Sequence, residues 1–176
     1  MGKIEIWEDC LVPDRWFELR YEGENPWGVV KKIENSLENY FQISAAGHGN
    51  YMLKWDNSGD PINFLSRWWV KKKFSKWSTF MLSIIVDGSI KKSDRSGRFN
   101  MRFKASLKTE YKGFWIFAKP FWIIYSYLFY NRLRRNFLER CQELALGFRD
   151  LVKKEYDMKV ISQYKFAPIA RKGGLG

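Results

Sequence analysis

The region from residue 99 to residue 152 constrains the fold most, because it joins three segments with different patterns. Residues 99–111 alternate apolar and polar side chains, which is typical of a strand with one buried and one exposed face. Residues 114–130 are dense in aromatic side chains, and residues 131–152 repeat apolar side chains at the spacing of an amphipathic helix. This order predicts an antiparallel sheet that is covered by a C-terminal helix.

The strand over residues 99–111 is expected to have a fixed register, because a slip of one residue would expose its whole apolar set. Residues 79–91 predict the strand before it, and residues 93–97 have the composition of a hairpin turn. The side chains expected to face inward from the later strand are Phe99, Met101, Phe103, Ala105, Leu107, Thr109 and Tyr111.

The segments upstream also alternate. Residues 4–21 predict extended structure that Pro13 breaks into two strands. Residues 51–55 and 67–77 predict two further strands, separated by the turn-forming residues 56–61.

Two helices are expected. The first begins at Pro26, because Asn25 is a good N-cap and proline suits the first helical position. It continues to Phe41, and the glycines of residues 45–49 are expected to end it. The second covers residues 131–152, and its expected inner face consists of Leu133, Phe137, Cys141, Leu144, Phe148 and Leu151.

Helices segregated to one face of an antiparallel sheet make an α+β fold. A chain of 176 residues is long enough for one well-buried core and short for two. We therefore expect a single domain over residues 1–155, with a basic, flexible tail over residues 156–176.

The chain resembles the helix-grip superfamily, the START-like or SRPBCC domains that include polyketide cyclases. The resemblance lies in residues 94–99, in the strand that ends at residues 107–111, in the following connection with Pro120, and in residues 131–139 at the start of the terminal helix. It implies a curved antiparallel sheet that grips a long C-terminal helix. Members usually have two short helices after the first strand, whereas residues 26–41 predict one longer helix here.

The resemblance also implies an apolar cavity between the sheet and the C-terminal helix. Such a domain would bind or transfer an apolar ligand, such as a lipid, an isoprenoid or a polyketide-like molecule. The residues expected to line the cavity are Phe80, Leu82, Ile84, Met101, Phe103, Ala105, Trp115, Phe121, Trp122, Tyr125 and Phe129.

Positive charge suggests a second function. The formal net charge is +12, and a basic surface attracts nucleic acid, anionic lipid or acidic ligands. Trp69 and Trp77 are expected on the same face as two of the lysines, an arrangement that suits single-stranded nucleic acid. A solvated outer sheet face is the alternative explanation. The expected basic patch consists of Lys71, Lys73, Lys76, Arg102, Lys104 and Lys108.

The aromatic segment over residues 114–130 allows a third kind of partner. It is short for a membrane-spanning helix and is interrupted by Lys119 and Pro120. Its aromatic side chains, beside the arginines at 132, 134 and 135, would suit a peripheral contact with an anionic membrane. The alternative is that the segment lines the cavity.

Catalysis and bound cofactors find little support. His48 is the only histidine and lies between two glycines, a setting typical of an exposed loop. No nucleophile, metal-ligand or phosphate-loop motif is present. We therefore expect no cofactor and no metal and do not favour an enzyme, although a cyclase or hydratase of the helix-grip kind remains a further alternative.

The cysteines and the N-terminus bear on the compartment. Cys10 and Cys141 lack the spacing of a metal site, and two free thiols in a reducing cytoplasm are expected, with one disulfide as the alternative. Residues 1–9 contain acidic side chains where a signal peptide needs an apolar run. A cytoplasmic protein, with or without peripheral membrane contact, is the expectation.

Overall fold

The computed structural model describes residues 2–113, 124 and 130–161. Within these residues, seven strands and two α-helices form an α+β fold, as expected. In chain order the elements are β1 (Gly2–Asp9), β2 (Phe17–Glu24), α1 (Pro26–Phe41), β3 (His48–Asp56), β4 (Ile62–Lys73), β5 (Ser78–Ile90), β6 (Ser96–Gly113), α2 (Asn131–Glu155) and β7 (Lys159–Val160).

All seven strands belong to one open antiparallel sheet with the order β3-β4-β5-β6-β2-β7. The strand β1 pairs with the second half of β6, where Asp9 lies opposite Ser106, and β2 pairs with the first half, where Phe17 lies opposite Phe103. Both strands therefore lie along the same edge of β6. The turn that contains Pro13 separates them, which confirms the predicted break.

Both helices pack on one face of the sheet and enclose the core. The alternation predicted for β6 is confirmed from Phe99 to Thr109, because every second side chain there is buried. Phe103 lies at the centre of this core: its ring stacks on Phe17 at 4.8 Å between ring centroids and meets the ring of Phe148 at 5.8 Å. Large aromatic rings of β2, β6 and α2 thus fill the space between sheet and helix.

The helix α1 begins as predicted. The Asn25 side chain accepts a hydrogen bond of 3.1 Å from the Gly28 N–H, and the stripe from Val30 to Phe41 is buried. The predicted ending in glycine is wrong. Gln42 ends the helix instead, with a φ of 50°, while Ala45–Gly47 form a short 3-10 turn before β3.

The helix α2 begins at Asn131 as predicted and ends at Glu155. Its expected inner face is partly wrong, because Leu133 is 46% exposed. The fully buried side chains of α2 lie along a row next to the predicted one. Leu144 and Leu151 are only partly buried and pack at the margin of this row. This row consists of Cys141, Ala145, Phe148 and Val152.

The hairpin between β4 and β5 also differs from expectation. β4 ends at Lys73, and the four residues up to Trp77 form the turn. The Ser75 hydroxyl accepts hydrogen bonds from the N–H groups of Trp77 and Ser78, which closes the turn. Lys76 and Trp77 therefore lie in a turn and not on the strand to which they were assigned.

Cys10 and Cys141 form a disulfide bond, so the expectation of two free thiols is wrong. The bond joins the residue that follows β1 to the buried face of α2, with a Cα–Cα distance of 5.9 Å. The Cys10 N–H donates to the Ala105 carbonyl, which holds the end of β1 beneath the helix. The pairing of β1 with β6 thus brings together two cysteines that are 131 residues apart.

Ordered structure continues into the segment expected to be a tail. Lys159–Val160 form β7, in which Val160 pairs with Leu19 and Lys159 with Arg20. Most of the predicted tail, residues 162–176, lies outside the described residues, so its flexibility stays a prediction.

Candidate functional site

The outer face of the sheet, opposite the two helices, carries the polar side chains of β4, β5 and β6. None of the described helices lies on this outer face. Both helices pack against the buried side chains of the inner face of the sheet. The alternation of the strands determines which residues point outward. The side chains of the outer face therefore follow from the same alternation of apolar and polar residues that predicted β6.

The strand register groups these side chains into rows that cross the sheet. In one row Lys73 lies opposite Thr79, Thr79 opposite Lys108, and Lys108 opposite Trp7. The next outward row consists of Lys71, Met81, Ser106 and Asp9. The row after that consists of Trp69, Ser83 and Lys104.

Five of the six predicted patch residues lie on this face. Lys71 and Lys73 extend from β4, whereas Arg102, Lys104 and Lys108 extend from β6. The two strands do not pair with each other; β5 separates them, so their backbones are about 10 Å apart across the sheet. Lys76, the sixth, is in the turn after β4.

The cations of this face differ in how far acidic neighbours offset their charge. Lys108 Nζ lies 3.0 Å from Glu5 Oε1 and 2.8 Å from Glu110 Oε2. These contacts, with Glu110 the stronger, raise the pKa of Lys108 above its ordinary value. Arg102 pairs with Asp87 at 2.7 Å.

Three other lysines have no such partner in the part of the chain that the structure describes. Lys71, Lys73 and Lys104 form no ion pair with any acidic side chain in the described parts of the chain. Lysines that lack an ion-pair partner among the described residues therefore stand at the end of β4 and in the middle of β6.

Two tryptophans lie among these cations. The Lys71 ammonium is 4.5 Å from the centroid of Trp69, and a Cβ added at Gly49 would come within 3.2 Å of that indole, so the ring rests against the glycine. Trp7 is 53% exposed, with the Lys108 ammonium 5.2 Å from its centroid. Trp77 is not part of this face, and its ring packs edge-on against Tyr130.

A cleft of about 710 Å³ opens at this end of the face. The strand β3 begins with His48 opposite Val70, so residues 71–73 of β4 extend beyond it and residues 42–47 form the wall there. The Lys72 ammonium donates to the Phe41 carbonyl at 2.7 Å and ties this wall to β4. The cleft is lined by Trp7, Gln42, Ile43, Ser44, Ala46, Gly47, Lys71, Lys72, Lys73, Thr79, Met81, Lys108 and Glu110.

Two smaller clefts, of about 610 and 410 Å³, lie near the opposite end of the strands. Their walls combine Arg98 with acidic side chains, among them Glu22 in one and Asp87 in the other. This mixture of charges makes them weaker candidates for an anionic ligand than the lysine-rich cleft.

The residues predicted to line an apolar cavity divide into two groups. Six of them, Phe80, Leu82, Ile84, Met101, Phe103 and Ala105, are at most 2% exposed and belong to the packed core. None of the three clefts above is lined by these six. The other five, Trp115, Phe121, Trp122, Tyr125 and Phe129, lie outside the described residues, and the cavity stays a prediction.

Two features were missed from the sequence. Trp7 joins the basic face only because β1 pairs with β6, a long-range relationship that alternation within β1 does not reveal. A buried hydroxyl cluster links three elements: the Ser78 hydroxyl lies 2.5 Å from Tyr130 Oη and 3.3 Å from Thr109 Oγ1. Isolated hydroxyl residues in apolar segments were the available signal for this cluster.

Metal-binding and membrane-spanning features were also considered for the described residues. No three His, Cys, Asp or Glu side chains converge there as metal ligands would, and His48 Nδ1 lies 3.7 Å from Glu38 Oε1. No helix in this part of the chain combines the length and apolar character needed to cross a bilayer. Comparison with protein-family models, with curated proteins and with solved structures finds no match to the chain.

Proposed function

We propose that this protein binds single-stranded nucleic acid on the outer face of β4, β5 and β6. The observation that carries the proposal is the set of three lysines on one face, Lys71, Lys73 and Lys104, that lack ion pairs among the described residues, with Lys71 lying 4.5 Å from the centroid of Trp69. Cations bind the phosphates of the strand, and an aromatic ring beside them can stack on a base.

The spacing of the lysines supports this reading of the face. Lys71 and Lys73 are alternate residues of one strand, so their Cα atoms are separated by about 6.7 Å. Successive phosphates of an extended nucleic-acid strand recur at a comparable spacing. Lys104 provides a third contact across β5, which would hold the nucleic acid to the face at more than one point.

The proposal also explains why these charges are left unpaired. Elsewhere on the same face Arg102 and Lys108 are neutralised by carboxylates, so acidic residues are available at strand positions. Like charges gathered without partners destabilise the folded protein unless a ligand supplies the missing anions. A polyanion is the ligand that offsets several such charges at once.

The test is fluorescence anisotropy with a labelled single-stranded oligonucleotide over a range of salt concentrations. Replacing Lys71, Lys73 and Lys104 together by Glu should abolish binding at low salt. Replacing them by Gln should reduce the slope of log K against log salt by about 2, since each phosphate contact contributes about 0.7 for a single strand.

The matched control replaces three exposed lysines of the helices, Lys32, Lys153 and Lys154, by Glu, which changes the net charge by the same amount. A control protein that loses as much affinity as the β4–β6 variant would show that only overall charge matters. Absence of binding by the wild-type protein at low salt would refute the proposal.

A second candidate function is the binding of an apolar ligand by a helix-grip domain, and the topology favours it. β2, which precedes α1, pairs with β6, which is the last strand described before α2, and α2 packs on β5 and β6. A sheet that grips the terminal helix in a helix-grip domain would have these relationships. Native mass spectrometry after mild purification tests it: a co-purified lipid-like molecule is expected, and no bound molecule together with no thermal shift by any lipid class would count against it.

A further inference from the structure

The 710 Å³ cleft on the basic face has two chemically different ends. At one end Trp7 presents an exposed indole, and the adjacent Lys108 is already paired with Glu5 and Glu110. At the other end Lys71 and Lys73 are exposed and lack acidic partners among the described residues. One end therefore suits a planar aromatic group and the other an anion.

We propose that this cleft binds a nucleoside phosphate, with its base against Trp7 and its phosphate against Lys71 and Lys73. The inference rests on the proposed nucleic-acid function and adds to it a specific subsite. The same chemistry has two sources, a free nucleotide or the phosphorylated end of a strand.

Electrostatics determine the direction in which the ligand lies. Glu110 lines the cleft close to Lys108 and repels an approaching phosphate there. The Lys108 charge that would otherwise attract the phosphate is offset by its two carboxylate partners. The phosphate is consequently favoured at the β4 end, where Lys71 and Lys73 repel each other until an anion binds.

The dimensions of the cleft agree with this arrangement. Lys73 and Trp7 stand at the two ends of one row, three strand spacings apart, which corresponds to about 14 Å between their backbones. Both side chains line the cleft between them, so a nucleoside phosphate needs to bridge only the remainder of that distance. A volume of about 710 Å³ is also within the usual range for small-molecule sites.

The wall formed by residues 42–47 favours a strand end over the middle of a strand. This wall stands beside the part of β4 that extends beyond β3. A strand lying along the outer face would meet the wall with its terminal nucleotide. The terminal phosphate would then lie beside Lys71 and Lys73.

Isothermal titration calorimetry with AMP, adenosine and inorganic phosphate tests the subsite. AMP should bind more tightly than adenosine or phosphate alone by at least tenfold. Trp7→Ala should weaken AMP binding by about tenfold, in the range that base–aromatic stacking provides, and Trp7→Phe should restore most of it. Lys73→Gln should also weaken AMP binding, whereas Lys153→Gln, at an exposed position near the end of α2 and outside the cleft, should leave it unchanged.

Oligonucleotides that differ only in a terminal phosphate distinguish the two ligand sources. A strand with a phosphorylated 5′ or 3′ end should bind more tightly than its hydroxyl counterpart, and Lys73→Gln should remove the difference. If neither terminal phosphate affects binding while AMP still binds through Trp7, the ligand is a free nucleotide.

The outcomes separate this inference from the broader function. Oligonucleotide binding that depends on Lys104, without AMP binding or a terminal-phosphate effect, would overturn the subsite and leave the proposed function intact. Equal affinity for AMP and inorganic phosphate would overturn the role of Trp7. AMP binding without any oligonucleotide binding would retain the cleft and refute the proposed function.

Discussion

Cys10 and Cys141 are joined by a disulfide bond that connects the end of β1 to the buried face of α2. Both cysteines are at most 3% exposed, so the bond is enclosed by the core. Disulfides of this kind persist in oxidising compartments and in intracellular proteins of some hyperthermophiles. The bond therefore overturns the expectation of free thiols, while the compartment stays a prediction.

Removal of this disulfide should lower the free energy of unfolding by about 2–4 kcal/mol, because a cross-link over a long loop restricts the unfolded chain. Guanidinium unfolding of the wild-type protein with and without reductant measures the effect. The double variant Cys10→Ala, Cys141→Ala serves as the control and should not respond to reductant. A wild-type protein whose midpoint is the same in both conditions would contradict the prediction.

Substitution of Gly88 by alanine should destabilise the protein by about 1–3 kcal/mol, as overpacking of a core does. A Cβ at this position would lie 2.5 Å from the Arg98 carbonyl oxygen and 2.6 Å from both Phe64 Cζ and Phe99 Cβ. Gly59→Ala is the matched control, because nothing lies within 4 Å of a Cβ there. Chemical unfolding of both variants should show a loss for Gly88→Ala alone, and equal stabilities would contradict this packing.

The elements of the fold were largely predictable because their signals are local. Alternation located β5 and β6, and the Asn25 cap located the start of α1. The hairpin after β4 was missed because it contains neither glycine nor proline and is closed by the hydroxyl of Ser75. A serine gives a much weaker turn signal than the residues that allow unusual backbone angles.

The site was less predictable because it depends on pairing between distant segments. That Lys71 and Lys73 share a face follows from their spacing alone. That Trp7 lies beside Lys108, and that Cys10 meets Cys141, follows only from the pairing of β1 with β6. No local pattern specifies which strand will be the neighbour of another.

Removal of the Tyr130 hydroxyl should cost about 0.5–1.5 kcal/mol of stability, the usual net contribution of a hydrogen bond, because the buried Ser78 hydroxyl keeps Thr109 Oγ1 at 3.3 Å. Tyr130 is 2% exposed, and its oxygen lies 2.5 Å from the Ser78 hydroxyl, which is itself fully buried. Tyr130→Phe is compared by guanidinium unfolding with Tyr51→Phe, where the side chain is 53% exposed and a change within about 0.5 kcal/mol is expected.

A double-mutant cycle with Ser78→Ala isolates the interaction between the two hydroxyls. The double variant should lose less than the sum of the single losses, with a coupling energy of about 0.5–3 kcal/mol. Strict additivity would show that the two hydroxyls do not stabilise each other.

Alkaline pH should destabilise the protein partly through Tyr156, the residue that ends α2. Burial of this side chain, with a further contribution from Glu155, raises its pKa to about 12, compared with an ordinary value of about 10. Between pH 10 and pH 12 the folded protein therefore keeps a proton that the unfolded chain has released. The corresponding stability is fully present below about pH 10 and is lost as the pH rises towards 12.

Tyr156→Phe cannot release this proton, so its stability should decline less steeply than that of the wild-type protein between pH 10 and pH 12. Unfolding free energies at several pH values across this range measure the two slopes. The tyrosinate absorbance of the folded wild-type protein should also contain a component near pH 12 that the variant lacks. Identical slopes, with no missing component in the variant, would show that Tyr156 titrates equally in the folded and unfolded states.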